Sequence, residues 1–428
     1  MSAQCPRTSA LRGKRAQVRG KRLREASRSS YASRPRFWRS VRQEEWSSWI
    51  WQQQNRVRDV ETLCQIIPLS SDEIETINWS ADRFRMAITP HYLTLIDGSS
   101  LECPIRLQAI PQRGEQVRFP YELDDPLAEE KHMPVPGLTH RYPDRVLVYM
   151  THNCPVYCRH CTRKRKVSDP QSAPRAQELT AAIAYIAGHP EVRDVLLSGG
   201  DPLSLSTRRL AGALAAIRRI DHVDVIRVGT RNPVTLPQRI DAELCEVLAS
   251  VAPVYVNTQF NHLDEATSES EQALKMLREA GCILSNQMVL LAGINDTPHK
   301  VETLNRWLLR NGVRPYYIFQ ADMAAGITHY RTPLATGLEI MRHLRGRLSG
   351  LGVPQFVIDL PDGGGKIPIS PDYLEPGTGK EQPLLFRNWQ GELFEFWDVD
   401  GTPTGQSFMS SAESENRSLP SRRNPKDR

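Results

Sequence analysis

The sequence predicts an α/β protein: a partial (βα)6 TIM-like barrel with a helical N-terminal region and a C-terminal strand/loop extension. Two observations predict it. From Arg145 onward, short apolar runs alternate with helical stretches of about 10–15 residues, the pattern of βαβ units in a parallel sheet. The stretches of unusual chemistry also follow these apolar runs, at the strand ends where parallel barrels carry their sites.

In chain order, residues 1–36 hold eleven Lys/Arg and one acid, Glu25, and are expected to form a disordered basic tail. This stretch is Arg/Ser-rich and acid-poor, as organelle transit peptides are. Residues 37–140 read as a helical N-terminal region. Trp38 to about Gln65 is expected to be helical, with Trp46, Ile50, Trp51 and Val57 among its larger apolar positions. Ser70 or Ser71 caps a second helix toward Ser80, with acids in its first turn. Arg85 to Leu93 and the Pro-rich segment to Pro136 read as a wrapping layer with little regular structure.

The barrel is expected over residues 141–345. Its strands are Val146–Met150, Asp194–Leu197, Val223–Val228, Val254–Asn257, Leu284–Leu291 and Tyr316–Phe319. Helices Ala176–Ala187, Arg208–Ile220, Ala242–Val251, Glu269–Ala280 and Lys300–Asn311 lie between them. A further strand, Phe356–Asp359, opens the C-terminal segment 346–404, and the polar, Ser-rich residues 405–428 read as disordered.

Net charge is +6, but the chain beyond residue 36 carries 44 basic and 48 acidic residues, a balance of −4. The folded part therefore gives no reason to expect a nucleic-acid partner. No apolar run approaches the roughly 20 residues of a membrane span. Cys5, Cys64, Cys103, Cys245 and Cys282 show no pairing pattern, which points to a reducing, cytoplasmic setting.

Three further cysteines cluster in Cys154-Pro-Val-Tyr-Cys158-Arg-His-Cys161, after the first apolar run. Thiolates are soft ligands for iron–sulfur clusters or zinc. Such centres take four ligands, so three thiols leave one corner open for a small molecule. The alternative is a structural zinc knuckle completed by His152 or His160.

Other loops carry candidates in the same layer. Ser198-Gly199-Gly200-Asp201 follows the second strand; its glycine backbone can approach a ligand closely, and Asp201 can accept from an ammonium. Taken alone, the same pair reads as a tight turn. Gly293-Ile-Asn-Asp296 follows the fifth strand, where Asp296 could equally cap a helix. Asp359-Leu-Pro-Asp-Gly-Gly-Gly-Lys366 follows the last. A desolvated lysine there can form a Schiff base with pyridoxal 5′-phosphate, although an exposed turn explains Gly-Lys as well. Arg141 and Arg145 are spaced for phosphate recognition, or for surface ion pairs.

Cys-x3-Cys-x2-Cys with Tyr157 before the middle cysteine resembles the cluster motif of radical S-adenosylmethionine (SAM) enzymes. Residues 37 to about 400 resemble the lysine 2,3-aminomutase family within that class. The resemblance implies a barrel of the radical SAM type and three cofactors: a 4Fe-4S cluster, S-adenosyl-L-methionine and pyridoxal 5′-phosphate. It makes Cys154, Cys158 and Cys161 iron ligands. Tyr157 and the Ser198-Gly199-Gly200-Asp201 loop become SAM-side contacts. Lys366 becomes the pyridoxal lysine and Arg141 and Arg145 its phosphate contacts. Arg163 matches the partner of the substrate α-carboxylate, and Asp296 and Asp359 the partners of a distal ammonium. The implied reaction is L-lysine to L-β-lysine. Arginine, or a lysine on a translation factor, is the alternative substrate; a zinc-stabilised interaction protein is the non-enzyme alternative. A flavodoxin- or ferredoxin-like electron donor and a homo-oligomer are expected. Three departures from the family pattern stand out: Asp362 in place of a glycine, Gln259 in place of a histidine, and no cysteine after Cys282, hence no C-terminal zinc.

Overall fold

The computed structural model describes residues 28–167, 174–375 and 383–396. The residues to Pro371 belong to one compact unit and those from Asp372 to a second.

The first unit is built on a nine-stranded sheet, ordered as in sequence. Its strands are β1 (Leu138–Tyr142), β2 (Arg145–Thr151), β3 (Asp194–Gly199), β4 (Val225–Gly229), β5 (Val254–Thr258), β6 (Cys282–Leu290), β7 (Arg314–Gln320), β8 (Gln355–Leu360) and β9 (Gly365–Pro368). Strands β2 to β8 run parallel, while β1 and β9 pair antiparallel at the two edges. The result is the expected barrel-like sheet of the radical SAM type. All seven expected strands are present, with ends that differ from expectation by at most two residues; the third starts two residues later, at Val225, and the fifth stops one earlier, at Leu290.

Helices cover the outside, and their ends follow the capping chemistry. Ala176–Ala187 forms where expected; Ser268–Glu279 is capped by Thr267, whose Oγ1 accepts from Ser270 N–H at 3.0 Å. Asp241 caps Ala242–Ser250 through Leu244 N–H at 2.8 Å. Val195, Leu197, Ile226, Val228, Val254, Leu290, Ile318 and Phe356 from the strands are all buried in the core. The strand faces turned to the helices carry these apolar side chains, while alternate positions such as Leu196, Arg227 and Gln287 line the cavity.

The N-terminal region departs from the expected pattern. Trp38–Gln65 is not one helix but three short ones, Gln43–Trp46, Trp49–Gln54 and Val60–Cys64. Ser48 and Asp59 each cap the helix that follows, so the chain restarts rather than continues. The tryptophans instead form a cluster: Trp46 meets Trp38 and Trp51 with ring centroids 5.8 and 5.7 Å apart. The second helix, Ser71–Ser80, has the expected cap at Ser70, with Glu73 returning a bond to Ser70 N–H at 2.8 Å.

The tail assignment for residues 28–36 is also corrected. Ser30 is fully buried, bonding Glu269 through both its N–H (2.9 Å) and its hydroxyl (2.8 Å). Ser29 and Trp46 join the same group. Short polar side chains pair with one half-buried carboxylate here, which arginine-rich composition conceals. The tail to residue 27 and the stretch 405–428 lie outside the described residues. The described part of the second unit is a hairpin of β10 (Leu384–Arg387) and β11 (Leu393–Phe396). Among the described residues no helix is long and apolar enough to cross a membrane.

Candidate active site

The three cysteines lie on the loop that leaves β2. The residues between them anchor it: Tyr157 N–H donates to Ala87 C=O at 3.0 Å, and Arg159 N–H to Gln108 C=O at 2.9 Å. The Arg159 side chain is fully buried and bonds both oxygens of Glu115, at 2.9 and 2.7 Å. Tyr157 packs on Phe84 beside Cys154 and Cys161, with the Arg56 guanidinium near its ring. It forms a wall of the thiol site and does not line the cavity described below.

Burial pushes the Cys154 and Cys161 thiols up, and the neighbouring thiols push in the same direction. These two become thiolates only beside a cationic centre, which an iron–sulfur cluster supplies. Three thiols with one corner left open are the donor set of a cluster that keeps one iron for a small molecule.

Gly199 and Gly200 press directly against this loop. Gly199 has φ +111°, and a Cβ there would stand 2.5 Å from Thr151 C=O. At Gly200 a Cβ would stand 2.5 Å from Asn153 C=O. Gly200 N–H donates to Thr151 C=O at 2.5 Å and Asp201 N–H to Asn153 C=O at 2.9 Å. The pair thus sets the position of the backbone immediately before Cys154. Asp201 does not stand as the open acceptor expected of it. Its buried carboxylate already takes Leu203 N–H, Thr230 Oγ1–H, Arg231 N–H and Asn232 Nδ2–H.

A cavity of about 450 Å³ runs along the inner face of the sheet, from Arg145 and Tyr316 near the strand starts to Ser198 and Asp359 near the strand ends. Arg141, Arg145, Arg163, Ser198, Asp359 and Lys366 all line it. The Lys366 amine pairs with Asp359 at 2.9 Å and stands 5.3 Å from the centre of the Phe319 ring. Arg141 also reaches Asp359, at 3.3 Å. Arg145 lies over the Tyr142 ring, 4.3 Å from its centre. Arg163 gives Nε and Nη2 to Glu129, at 2.9 and 2.6 Å, and turns Nη1 toward Ser198 Oγ (3.4 Å) and Gly199 C=O (3.3 Å). Burial pushes the Glu129 carboxyl up, but Arg163 outweighs it and holds the group down at about 2.

Asp296 is not in this cavity. It lines a separate one with Glu102, His262 and Lys300. Its carboxylate accepts from Gly293 N–H at 2.7 Å and from Lys300 at 3.3 Å, stabilising its own turn. The acid that does lie with Asp359 is Asp322, two residues past β7. Burial, then the charge of Asp359, pushes its carboxyl up to about 7. Glu129, Arg231 and Asp322 were not singled out from sequence. Only Asp322 carried a usable signal, its place just after a parallel strand.

The residues present fit all three expected groups. A built lysine amine, a pair of arginines and a glycine-lined turn suit an aldehyde bearing a phosphate. Gly365 has φ +89°, and a Cβ on it would stand 3.2 Å from Tyr142 Oη. Beside the thiols, His160 lines the cavity with a buried Nδ1 that makes no hydrogen bond among the described residues. Its Nε2 lies 3.2 Å from Gln259 Nε2, so the glutamine in place of the family's histidine still engages this ring.

A barrel whose first loop carries three free thiols and whose second packs a Gly-Gly pair on them defines a radical SAM protein. The radical SAM superfamily model matches residues 148–304, and a lysine-2,3-aminomutase model matches residues 341–417. The L-lysine 2,3-aminomutase of Acetoanaerobium sticklandii is 47% identical over 365 residues, covering 85% of this chain and 88% of that protein. The Clostridium subterminale enzyme of the same name is 46% identical over 357 residues, covering 83% and 85%. The glutamate 2,3-aminomutase of Clostridioides difficile is 42% identical over 357 residues, covering 83% and 84%. The chain belongs to the lysine 2,3-aminomutase family.

Proposed function

We propose that the protein interconverts L-lysine and L-β-lysine by moving the amino group between C2 and C3. It is an isomerase that uses a 4Fe-4S cluster, S-adenosyl-L-methionine and pyridoxal 5′-phosphate. The observation that carries the substrate is the carboxylate pair Asp322 and Asp359 in one cavity with Arg163 and Lys366. Identity alone does not choose the substrate, since relatives named for lysine and for glutamate score within a few per cent of each other.

When bound, the cofactors supply hydrogen-atom abstraction and stabilise the unpaired electron during migration. The chain's own residues do the rest. Cys154, Cys158 and Cys161 hold the cluster, and the Gly199-Gly200 backbone sets their loop beside SAM. Lys366 anchors the pyridoxal aldehyde, with Arg141 and Arg145 toward its phosphate. The Nη1 corner of Arg163 has only long contacts and meets the substrate α-carboxylate, while Glu129 keeps the guanidinium in plane.

Asp322 and Asp359 would offer the ε-ammonium of lysine two carboxylates in the cavity that Lys366 lines. A glutamate side chain would bring a third carboxylate. At about 4 Å and an effective dielectric near 20, each such repulsion costs about 4 kcal/mol. That exceeds a tenfold preference several times over, so the pair selects a cationic side chain.

The cluster needs one electron from outside, which a small redox protein of the flavodoxin or ferredoxin kind would deliver in a reducing compartment. The test of substrate is an anaerobic assay with reductant, offering lysine, arginine and glutamate side by side. Turnover of lysine is expected. Turnover of glutamate without lysine overturns the role given to Asp322 and Asp359.

A further inference from the structure

The three thiols are not equivalent. Cys158 Sγ alone among them accepts a hydrogen bond from a buried guanidinium, Arg231 Nη1, at 2.7 Å. Arg231 sits on the loop that leaves β4. Its other corners are all taken. Nη2 donates to Gln108 Oε1 at 2.6 Å, to Tyr92 Oη at 3.2 Å and to Glu265 Oε1; Nε donates to Gln259 C=O at 3.2 Å. Glu265, Tyr92 and Gln108 are themselves completely buried. Tyr92 O–H donates to Glu265 Oε1 at 2.8 Å, and Glu265 Oε2 takes Asn261 N–H at 2.6 Å. The guanidinium therefore has one orientation available, and that orientation points at sulfur.

The backbone under Arg231 is fixed as firmly. Its N–H donates to Asp201 Oδ2 at 2.7 Å, and the same carboxylate takes Thr230 Oγ1–H and Asn232 Nδ2–H. Asp201 follows the glycine pair that packs on the cysteine loop. So one acid ties the loop after β3 to the loop after β4, and the second loop delivers a charged donor to the thiol trio. Burying an arginine and a glutamate only to hold each other is a poor stabilising device, because desolvation offsets most of the gain. A buried pair aimed at a metal ligand has a use that offsets this cost.

We infer that Arg231 is a positioning residue that tunes the iron–sulfur cluster, donating to the Cys158 thiolate and so raising the cluster's reduction potential. The inference rests on the reading of Cys154, Cys158 and Cys161 as cluster ligands. A hydrogen bond to a ligating sulfur draws charge from it and stabilises the reduced state, which carries one more electron. Nothing is transferred covalently; the bond shifts a one-electron equilibrium. Asp201, Glu265, Tyr92 and Gln108 act through Arg231.

The test uses the full chain loaded anaerobically with iron and sulfide, without SAM or lysine. An EPR-monitored redox titration reads the cluster midpoint, independently of turnover. Arg231→Met combined with Glu265→Gln removes the donor and leaves net charge unchanged. Its midpoint is expected to fall by at least the 59 mV that corresponds to a tenfold change in a one-electron equilibrium. Arg231→Lys keeps a charge opposite Glu265 without the planar donor and is expected to shift in the same direction. A variant with wild-type iron and sulfide content and an unchanged or raised midpoint overturns the inference. If neither variant assembles a cluster that the wild-type chain assembles, Arg231 is a folding residue and the tuning role is equally overturned. Wild-type protein that binds no iron and sulfide fails the earlier reading of the thiols instead, which iron and sulfide analysis shows on its own.

Discussion

Replacing Asp322 with Asn tests the substrate assignment through protons rather than through turnover. The Asp322 carboxyl stands at about 7 because it is buried and faces Asp359. Relative to its ordinary value of 3.8, ionising it in the free cavity costs on the order of 4 kcal/mol, at about 1.4 kcal/mol per pH unit. Below about pH 7 the empty cavity therefore keeps this proton. The ε-ammonium of lysine supplies the missing counter-charge and favours the carboxylate, so binding expels the proton. At pH 6 the wild-type protein should release nearly one proton more than the variant on binding lysine, and at pH 8.5 almost none more. Lysine affinity should fall by up to about tenfold per unit as pH drops below 7. The Asn variant should lack this dependence and bind lysine roughly 10- to 150-fold more weakly, the value of about 1.5–3 kcal/mol for a hydrogen bond to a charged group. Titration calorimetry of the loaded, unreduced enzyme in two buffers of different ionisation heat counts the protons. The proton shed by the substrate α-ammonium is common to both proteins and cancels in the difference. Equal proton counts at pH 6 would refute the assignment.

Lys366→Ala should abolish the visible absorbance of lysine-bound pyridoxal, and absorbance that persists removes Lys366 as the anchor. Gly200→Ala puts a Cβ 2.5 Å from Asn153 C=O, so the loop before Cys154 must move; the strain is about 1–3 kcal/mol, and iron content should drop sharply while Thr207→Ala, away from the cavity, keeps it. Glu129→Gln should destabilise the chain at neutral pH. Its carboxyl is held at about 2 against an ordinary 4.5, so its contribution of about 3 kcal/mol is complete above pH 4.5 and is lost as pH falls through 2; thermal melting should show the full wild-type advantage at pH 7 and less than half of it, about 1.4 kcal/mol, at pH 3. Tyr142→Phe leaves the Lys366 backbone N–H without its 2.8 Å acceptor, which costs about 1–3 kcal/mol and should lower the melting temperature.

What could be read from sequence followed from how much each signal depended on local chemistry. The strands were legible because the face packed on the helices must be apolar and the barrel's inner face is largely so, which gives runs such as Val146-Leu-Val-Tyr-Met150. The N-terminal helix was overextended because apolar spacing outvoted Ser48 and Asp59, two caps that break it. Asp322 carries a weaker signal than Asp296: Gln320-Ala-Asp322 holds no glycine, cysteine or paired charge, whereas Asp296 stands in a glycine-bearing loop. Both follow strands, and the structure places Asp322 in the cavity with Asp359 and Asp296 in another. Arg231 and Glu129 were invisible for a different reason: each matters through a partner more than 30 residues away, Glu129 at Arg163 and Arg231 at Cys158.

The sheet stops short of closing on itself. Strands β1 and β9 are its edges, and edges expose unpaired backbone groups that a fold must cover. Here side chains bridge them. Tyr142 Oη on β1 accepts from the Lys366 backbone N–H on β9, and Arg141 on β1 reaches Asp359 on β8. The residues that hold the seam are thus the ones proposed to hold pyridoxal phosphate and the distal ammonium. Arg141, Tyr142, Asp359 and Lys366 line the cavity as well, so its wall and the seam between the two sheet edges depend on the same few side chains.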